Sequence, residues 1–468
     1  MIRNPELTRN LWLEITTHRL IAMPLILGVI FLLAHVAGHS PQGSLRNIVN
    51  ISSFAYIILV MIWGAKNAAS SIIDEVNQNT WDFQKLSSIT PWKMVVGKFI
   101  GSTLYMWYGG IIALSVYALA SISLNSSINA SLFYPVIKTS LLLLTGILVQ
   151  LAAMFLAIAS LAINKSKPAR LSSLAFVIAS FLASIPLLSY TLSLGHRRRS
   201  FQGSIDWYDL GINYTWFTLV TLIIFIGWTC TGIYRLMKKE LQYPLLPWVW
   251  TVFTCFIVIF LQGFFIKTPP TVSLLLPLFL LTCITYLLLL AEAKTGPIYK
   301  KLYYSFKSRK WTNIFAATPL WVITSMLVIA YSVLLCAVTI LSLTEVPKPS
   351  FLIATVIVTL LLLSRDILIV HFFNLPPNRK RADMTAIIYM IVLYFLLPWL
   401  CLLMDNFTLA NILVPIPISE FPDQVTQKSI GISPLQAVIA AIAQSMIAAL
   451  LFFRRLKKIK KMNANSND

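Results

Sequence analysis

The chain has 468 residues, of which 58% are hydrophobic and only 11% charged, with a formal net charge of +21. A water-soluble domain needs a larger polar fraction to cover its surface, so this composition excludes an ordinary globular enzyme and describes a protein immersed in lipid. The charge does not mark a nucleic-acid binder, because the basic residues are scattered through short segments bordering apolar runs, where anionic head groups attract them. Membrane lipids are the expected partners, and no nucleic acid.

The first predicted element is an amphipathic helix over 4–19. Asn4-Pro5-Glu6 supplies a cap, a proline at the first helical position and an acid in the first turn. Leu7, Leu11 and Ile15 recur every four residues beside Trp12, so this helix is expected to lie in the membrane interface with its apolar face down. Apolar runs then follow at roughly 20–37, 51–65, 99–122, 133–163, 171–193, 214–234, 247–266, 272–291, 319–343, 350–373, 384–404 and 432–453. About 20 apolar residues in a helix cross the hydrocarbon core, and in lipid the backbone must satisfy its own hydrogen bonds. The prediction is an all-α polytopic integral membrane protein of about twelve transmembrane helices. The first run is expected to stay as an anchor, since a long segment with Glu6 and Glu14 precedes it and no small-x-small cleavage pattern follows. Placing the N-terminus in the cytoplasm puts 28 of the 37 Lys and Arg residues on the inside, 29 with Arg365, and 8 outside. Both termini are then cytoplasmic, and Arg197–Arg199 are the clear exception to the rule. The cytoplasmic membrane of a bacterium is the expected location.

The connection from Lys66 to Lys98 is longer and more patterned than a simple turn. A helix is predicted to end near Asn79, which tolerates a left-handed C-cap conformation. Thr80 is then placed to cap a short second helix with Asp82 in its first turn, and Thr90-Pro91 to turn the chain back into the membrane. Glu75, Asn79-Thr80, Leu86, Thr90-Pro91 and Gly97-Lys98 together resemble the loop between the second and third spans of ABC-2 type transporter permeases, with Asn79 standing where that family usually has glycine. The N-terminal Asn4-Pro5 helix is similar to the family's connecting helix. The resemblance covers about the first 240 residues and, weakly, the last 160.

The resemblance implies a permease that forms a pathway for export while a separate ATPase chain binds ATP and Mg and docks on this loop. The docking residues it implies are Glu75, Thr80, Trp81, Asp82, Leu86, Thr90 and Pro91. The bland alternative is a solvated loop whose Trp81 and Trp92 anchor at head groups. The chain has no G-x-x-x-x-G-K-[ST] phosphate loop, so no cofactor of its own is expected and it is not read as an enzyme.

The second half repeats the order of the first in outline. A basic amphipathic helix over 297–311 is followed by four spans, with a loop at 374–383 containing Pro376, Pro377 and Arg379. Asp366 stands before this loop as Asp82 stands in the first, and Gln150 and Gln444 occupy the fourth span of each set as candidate polar pathway residues. The chain therefore reads as a first permease unit over 1–240, two additional spans over 241–296, and a second, degenerate unit over 297–468. A fused pair of permease units, a homodimer and a second permease chain all remain open.

Two other classes are weighed against this. An ion-coupled secondary transporter needs ionisable groups inside the membrane, and only Lys138, Glu292, Arg365-Asp366 and His371 are available, all toward the ends of their runs. A membrane-embedded enzyme acting on lipid or polysaccharide would need a convergent set, and 194–213 offers His196, Arg197–Arg199, Asp206 and Asp209. The five cysteines form no C-x-x-C pair, and His35 and His39 are spaced i,i+4 beside Gly38 and Pro41, so no metal is expected.

Overall fold

The computed structural model describes residues 4–87, 89–126, 133–163, 173–193, 204–243, 245–268, 270–292, 294, 296–309, 311–341, 349–375, 382–404 and 434–465. Among the described residues, ten helices are long and apolar enough to cross a membrane, from Thr17–Val36 to Leu435–Lys458. Two shorter apolar helices, Leu174–Ile185 and Trp248–Gln262, stand where the fifth and seventh runs were expected. So many long apolar helices make this a polytopic membrane protein. The chain divides into two compact units, Met1–Asp206 with Leu210–Leu245, and Trp207–Asp209 with Leu246–Asp468.

In the first unit, α1 (Pro5–Glu14) and α2 (Thr17–Val36) are followed by α3 (Pro41–Tyr56), which runs through a π-helical segment, Ile57–Gly64, into α4 (Ala65–Asn77). Then come α5 (Trp81–Lys85), α6 (Pro91–Ser126), α7 (Phe133–Ile163), α8 (Ser173–Ser193), a hairpin of β1 (Ser204–Trp207) and β2 (Leu210–Asn213), and α9 (Tyr214–Glu240). Tyr56, Val60, Met106, Leu142 and Val149 belong to one buried cluster, and Ile72, Trp81, Met94, Ile158 and Met237 to another. Gln150 sits fully buried on α7, donating to the Val60 carbonyl of the π segment at 2.9 Å and accepting from Trp107 Nε1 at 2.9 Å. The amide therefore ties three helices together rather than lining open space, the common role of such residues in membranes.

The second unit holds α10 (Trp248–Gln262), α11 (Pro270–Ala291), α12 (Gly296–Lys307), α13 (Trp311–Ala317), α14 (Leu320–Ile340) and α15 (Pro349–Asn374). Next come α16 (Ala382–Ile391), a second π segment at Val392–Leu396, α17 (Leu397–Leu403) and α18 (Pro434–Asn465). The predicted amphipathic helix over 297–311 ends at Lys307, with Arg309 at φ 51° before α13 begins. Tyr303, Tyr304, Phe306 and Trp311 on these helices are exposed, the arrangement expected of an interfacial segment. Leu278, Leu281, Val328, Leu335, Val356 and Leu363 form the main core of this unit.

The hairpin tip belongs to this second unit and closes the end of α10. Tyr208 and Asp209 both have positive φ, 51° and 63°, as a tight two-residue turn requires. The last carbonyls of a helix have no partner inside it. Here Trp207 Nε1 donates to Phe260 O at 3.1 Å, Tyr208 N–H to Gly263 O at 3.0 Å, and Tyr208 O–H to Ile259 O at 2.7 Å. A side chain at Gly263 would overlap the Trp207 indole, so only glycine lets the tip come this close.

Candidate functional site

The helix end at Asn79 forms as its sequence requires. Asn79 has φ 59°, its N–H bonds Val76 O at 3.1 Å, and Thr80 N–H bonds Glu75 O at 2.9 Å. That pair of bonds around a left-handed residue is the Schellman arrangement. Thr80 differs from expectation. Its hydroxyl donates to Glu75 O at 3.1 Å and makes no cap bond to α5, because the same carbonyl already holds its backbone.

Five residues of α5 then follow, and they face two ways. Trp81 is 5% exposed and packs in the cluster shared by α4, α6, α7 and α9, so it is a core residue and not a head-group anchor. Lys85 pairs with Asp82 at 3.0 Å and approaches Glu240, at the end of α9, at 3.7 Å. On the other side Phe83 is 76% exposed and Leu86 85% exposed, and Asp82 is exposed as well. Two large apolar side chains, one on this short charged helix and one at the residue that ends it, are thus uncovered. Thr90 is exposed and Pro91 buried, at the start of α6, where Met94 N–H bonds Thr90 O at 3.0 Å.

Behind α5 lies a buried charge cluster that sequence reasoning did not find. Lys98, 1% exposed on α6, bonds Glu6 of α1 at 3.1 Å and pairs closely with Glu75 of α4. Arg9 bridges the same two carboxylates at 3.0 Å each, and Gln84 of α5 donates to Glu75. Glu75 is thus an internal tie among α1, α4, α5 and α6 rather than a surface docking residue. Helix α1 reaches this position because Gly97 and Gly101 leave room on α6. A Cβ at Gly97 would lie 2.8 Å from Glu6 Cβ, and one at Gly101 would lie 2.5 Å from Asn10 Cβ. Asn4 Nδ2 donates to Lys93 O at 2.6 Å and Asn10 Nδ2 to Gly97 O at 3.3 Å, while Trp12 stays 85% exposed. The polar face of α1 is therefore the packed one, and its Trp12 side is exposed. The Gly97-x-x-x-Gly101 spacing was the available signal, since small residues four apart allow close helix contact.

The second set of expected residues does not rebuild this site. Asp366 is fully buried within α15, which continues to Asn374 because no proline or glycine interrupts it, so it is not on a docking surface. Arg365 Nε bonds Asp366 at 2.8 Å, Tyr286 O–H donates to Asp366 at 2.6 Å, and Tyr394 O–H donates to it as well. Arg365 also donates to Tyr394 at 2.7 Å and to Gln444 of α18. Gln444 is thereby a helix tie like Gln150, each amide on the fourth helix of its set bonding the second. Pro376, Pro377 and Arg379, and most of the 374–383 loop, lie outside the described residues, as do His196 and Arg197–Arg199.

No family model, curated protein or solved structure matches this chain.

Proposed function

We propose that the chain is the membrane-spanning permease component of an ABC-2 type exporter, with α5 as the seat for a separate ATPase. The observation that carries this reading is the two-faced α5. It exposes Asp82, Phe83 and Leu86 while Trp81, Lys85 and Gln84 fix it to the ends of α4, α6, α7 and α9. A partner that grips the exposed side pulls on these helices through the buried side. ATP and Mg act on the partner, whose hydrolysis cycle supplies the work, and this chain itself is no enzyme. The termini and α5 face the cytoplasm, about twelve helices cross a bacterial cytoplasmic membrane, and a homodimer or second permease completes the pathway where the two units do not. Phe83→Asp with Leu86→Asp tests the reading: it leaves the chain folded and inserted, and removes a co-purifying ATPase. Retention of the ATPase by that variant sinks it.

A second reading, an ion-coupled transporter, is favoured by one observation. Asp366 and Arg365 are buried inside an apolar helix, and ionisable groups held there are costly enough to imply use. Asp366 lies eight residues, about 12 Å, from the Asn374 end of α15. Uptake or export driven by a proton or sodium gradient in vesicles free of ATP, and lost in Asp366→Asn, would favour this second reading.

A further inference from the structure

The two amphipathic helices, α1 and α12, balance their charge differently. In the first unit the cations on and beside α1 are answered inside the protein. Arg9 pairs with Glu6 and Glu75 at 3.0 Å each, and Arg19 with Glu14 at 2.7 Å. In the second unit they are left open. Between Glu292 and Glu345 the sequence holds no acid, yet α12 and the turn after it carry Lys300, Lys301, Lys307 and Arg309. All four are exposed, and among the described residues none has a side-chain ion pair or hydrogen bond.

A basic run of this kind is ordinarily a solvated face. The α12 surface departs from that because large aromatic side chains lie among the charges. Lys300 and Lys307 are two helical turns apart and share a side of the helix, with Tyr303 and Tyr304 at the three- and four-residue spacings between them. Tyr303 is 65% exposed and Tyr304 64%, and Phe306 and Trp311 are exposed as well. Water disfavours such aromatic surface and hydrocarbon disfavours charge, whereas the boundary between head groups and acyl chains suits both. The opposite side is fixed to the protein. Tyr299 Oη and His371 Nε2 of α15 are hydrogen-bonded at 2.7 Å, Ser305 is buried on α12, and Ile314 is buried on α13. That attachment keeps the charged and aromatic side chains outward.

We infer that α12 and the start of α13 form a binding surface for anionic phospholipid. Lipid phosphates supply the missing counter-charges of Lys300, Lys301, Lys307 and Arg309, and the aromatic rings sit among the upper acyl chains. One cation near an anionic membrane surface is worth about fivefold in binding. Helix α1, whose cation is already paired, has no such preference. The surface shares no residue with the proposed ATPase seat, so it stands or falls separately from the permease reading.

The test uses the full chain with its five cysteines changed to alanine and a fluorophore on Ser308→Cys, an exposed position beside the charges. The chain is placed in vesicles of phosphatidylcholine with a minor share of phosphatidylglycerol. Either lipid carries a nitroxide near the head-group end of one chain, at the same mole fraction. Labelled phosphatidylglycerol should quench as strongly as an about fivefold higher fraction of labelled phosphatidylcholine. That preference should vanish in Lys300→Gln, Lys301→Gln, Lys307→Gln, Arg309→Gln. In the chain that keeps these residues, about 1 M salt should remove most of it, because the screening length falls to about 3 Å. A fluorophore on Trp12→Cys of α1 should report no preference. Equal quenching by both lipids at Ser308→Cys overturns the anionic assignment, and quenching by neither overturns the membrane contact. A preference that survives the fourfold substitution, or that is equally large at Trp12→Cys, overturns the residues named.

Discussion

Removing the Lys98 charge is the sharpest test of how α1 and α5 are held. In Lys98→Met, Glu6 and Glu75 remain with side chains only 7% and 13% exposed, facing each other across the vacated position. Breaking a buried ion pair from one side costs about 3–5 kcal/mol, because the remaining charge keeps its desolvation penalty. Arg9 still reaches both carboxylates at 3.0 Å but is itself half exposed, so the low end, about 3 kcal/mol, applies. At 1.4 kcal/mol per decade this is about a hundredfold in the opening equilibrium of α1. Hydrogen exchange of the α1 amides, Pro5–Glu14, in detergent reads that equilibrium directly. Lys98→Met should exchange about a hundredfold faster there, and the triple variant Lys98→Met, Glu6→Gln, Glu75→Gln should recover most of the loss, since it buries no net charge. Unchanged α1 protection in Lys98→Met would refute the view that this cluster fastens the helix.

Other predictions probe the remaining parts. Trp81→Ala should cost about 3–5 kcal/mol, measured by thermal unfolding in detergent, because it empties a core site among α4, α6, α7 and α9. Phe83→Ala, by contrast, should change stability by no more than about 0.5 kcal/mol, being a surface position. Asn79→Val should destabilise by about 1–2 kcal/mol and Asn79→Gly should not, since the position holds φ 59°. The Tyr299 phenol on α12 is pushed up to about 12, first by burial and then by the nearby Glu292 carboxylate, and it bonds His371 Nε2 at 2.7 Å. Its folded value lies above the ordinary one, so its contribution is complete below about pH 10 and is lost as pH rises through about 12. An ultraviolet titration should show one tyrosinate fewer for Tyr299→Phe near pH 12, and equal titration curves would contradict the assignment.

The local features of the first loop were legible because each depends on neighbours in sequence. Asn79 tolerates positive φ and lies just past the last apolar turn of α4, so the helix end could be placed, and Pro91 marked the start of α6. What escaped were contacts set by packing. Thr80 looked like a cap, but the Schellman turn already directs it to Glu75 O. Trp81 read as a docking residue or a head-group anchor, and only the convergence of four helices makes it core. The union of Glu6, Lys98 and Glu75 joins residues 69 and 92 positions apart or 23 apart, and charge alone cannot specify such partners. Asp366 was matched to Asp82 by its distance from a proline. The uninterrupted apolar sequence after it instead carries α15 onward and leaves Asp366 among Arg365, Tyr286 and Tyr394.

The central claim is that the exposed side of α5 receives an ATPase, and purification of the tagged chain from its native membrane tests it most directly. The account predicts a stoichiometric soluble partner that binds and hydrolyses ATP, present with the unaltered chain and absent with Phe83→Asp and Leu86→Asp. A chain that purifies without any such partner, or one whose ATPase stays bound when both side chains are changed, would contradict it.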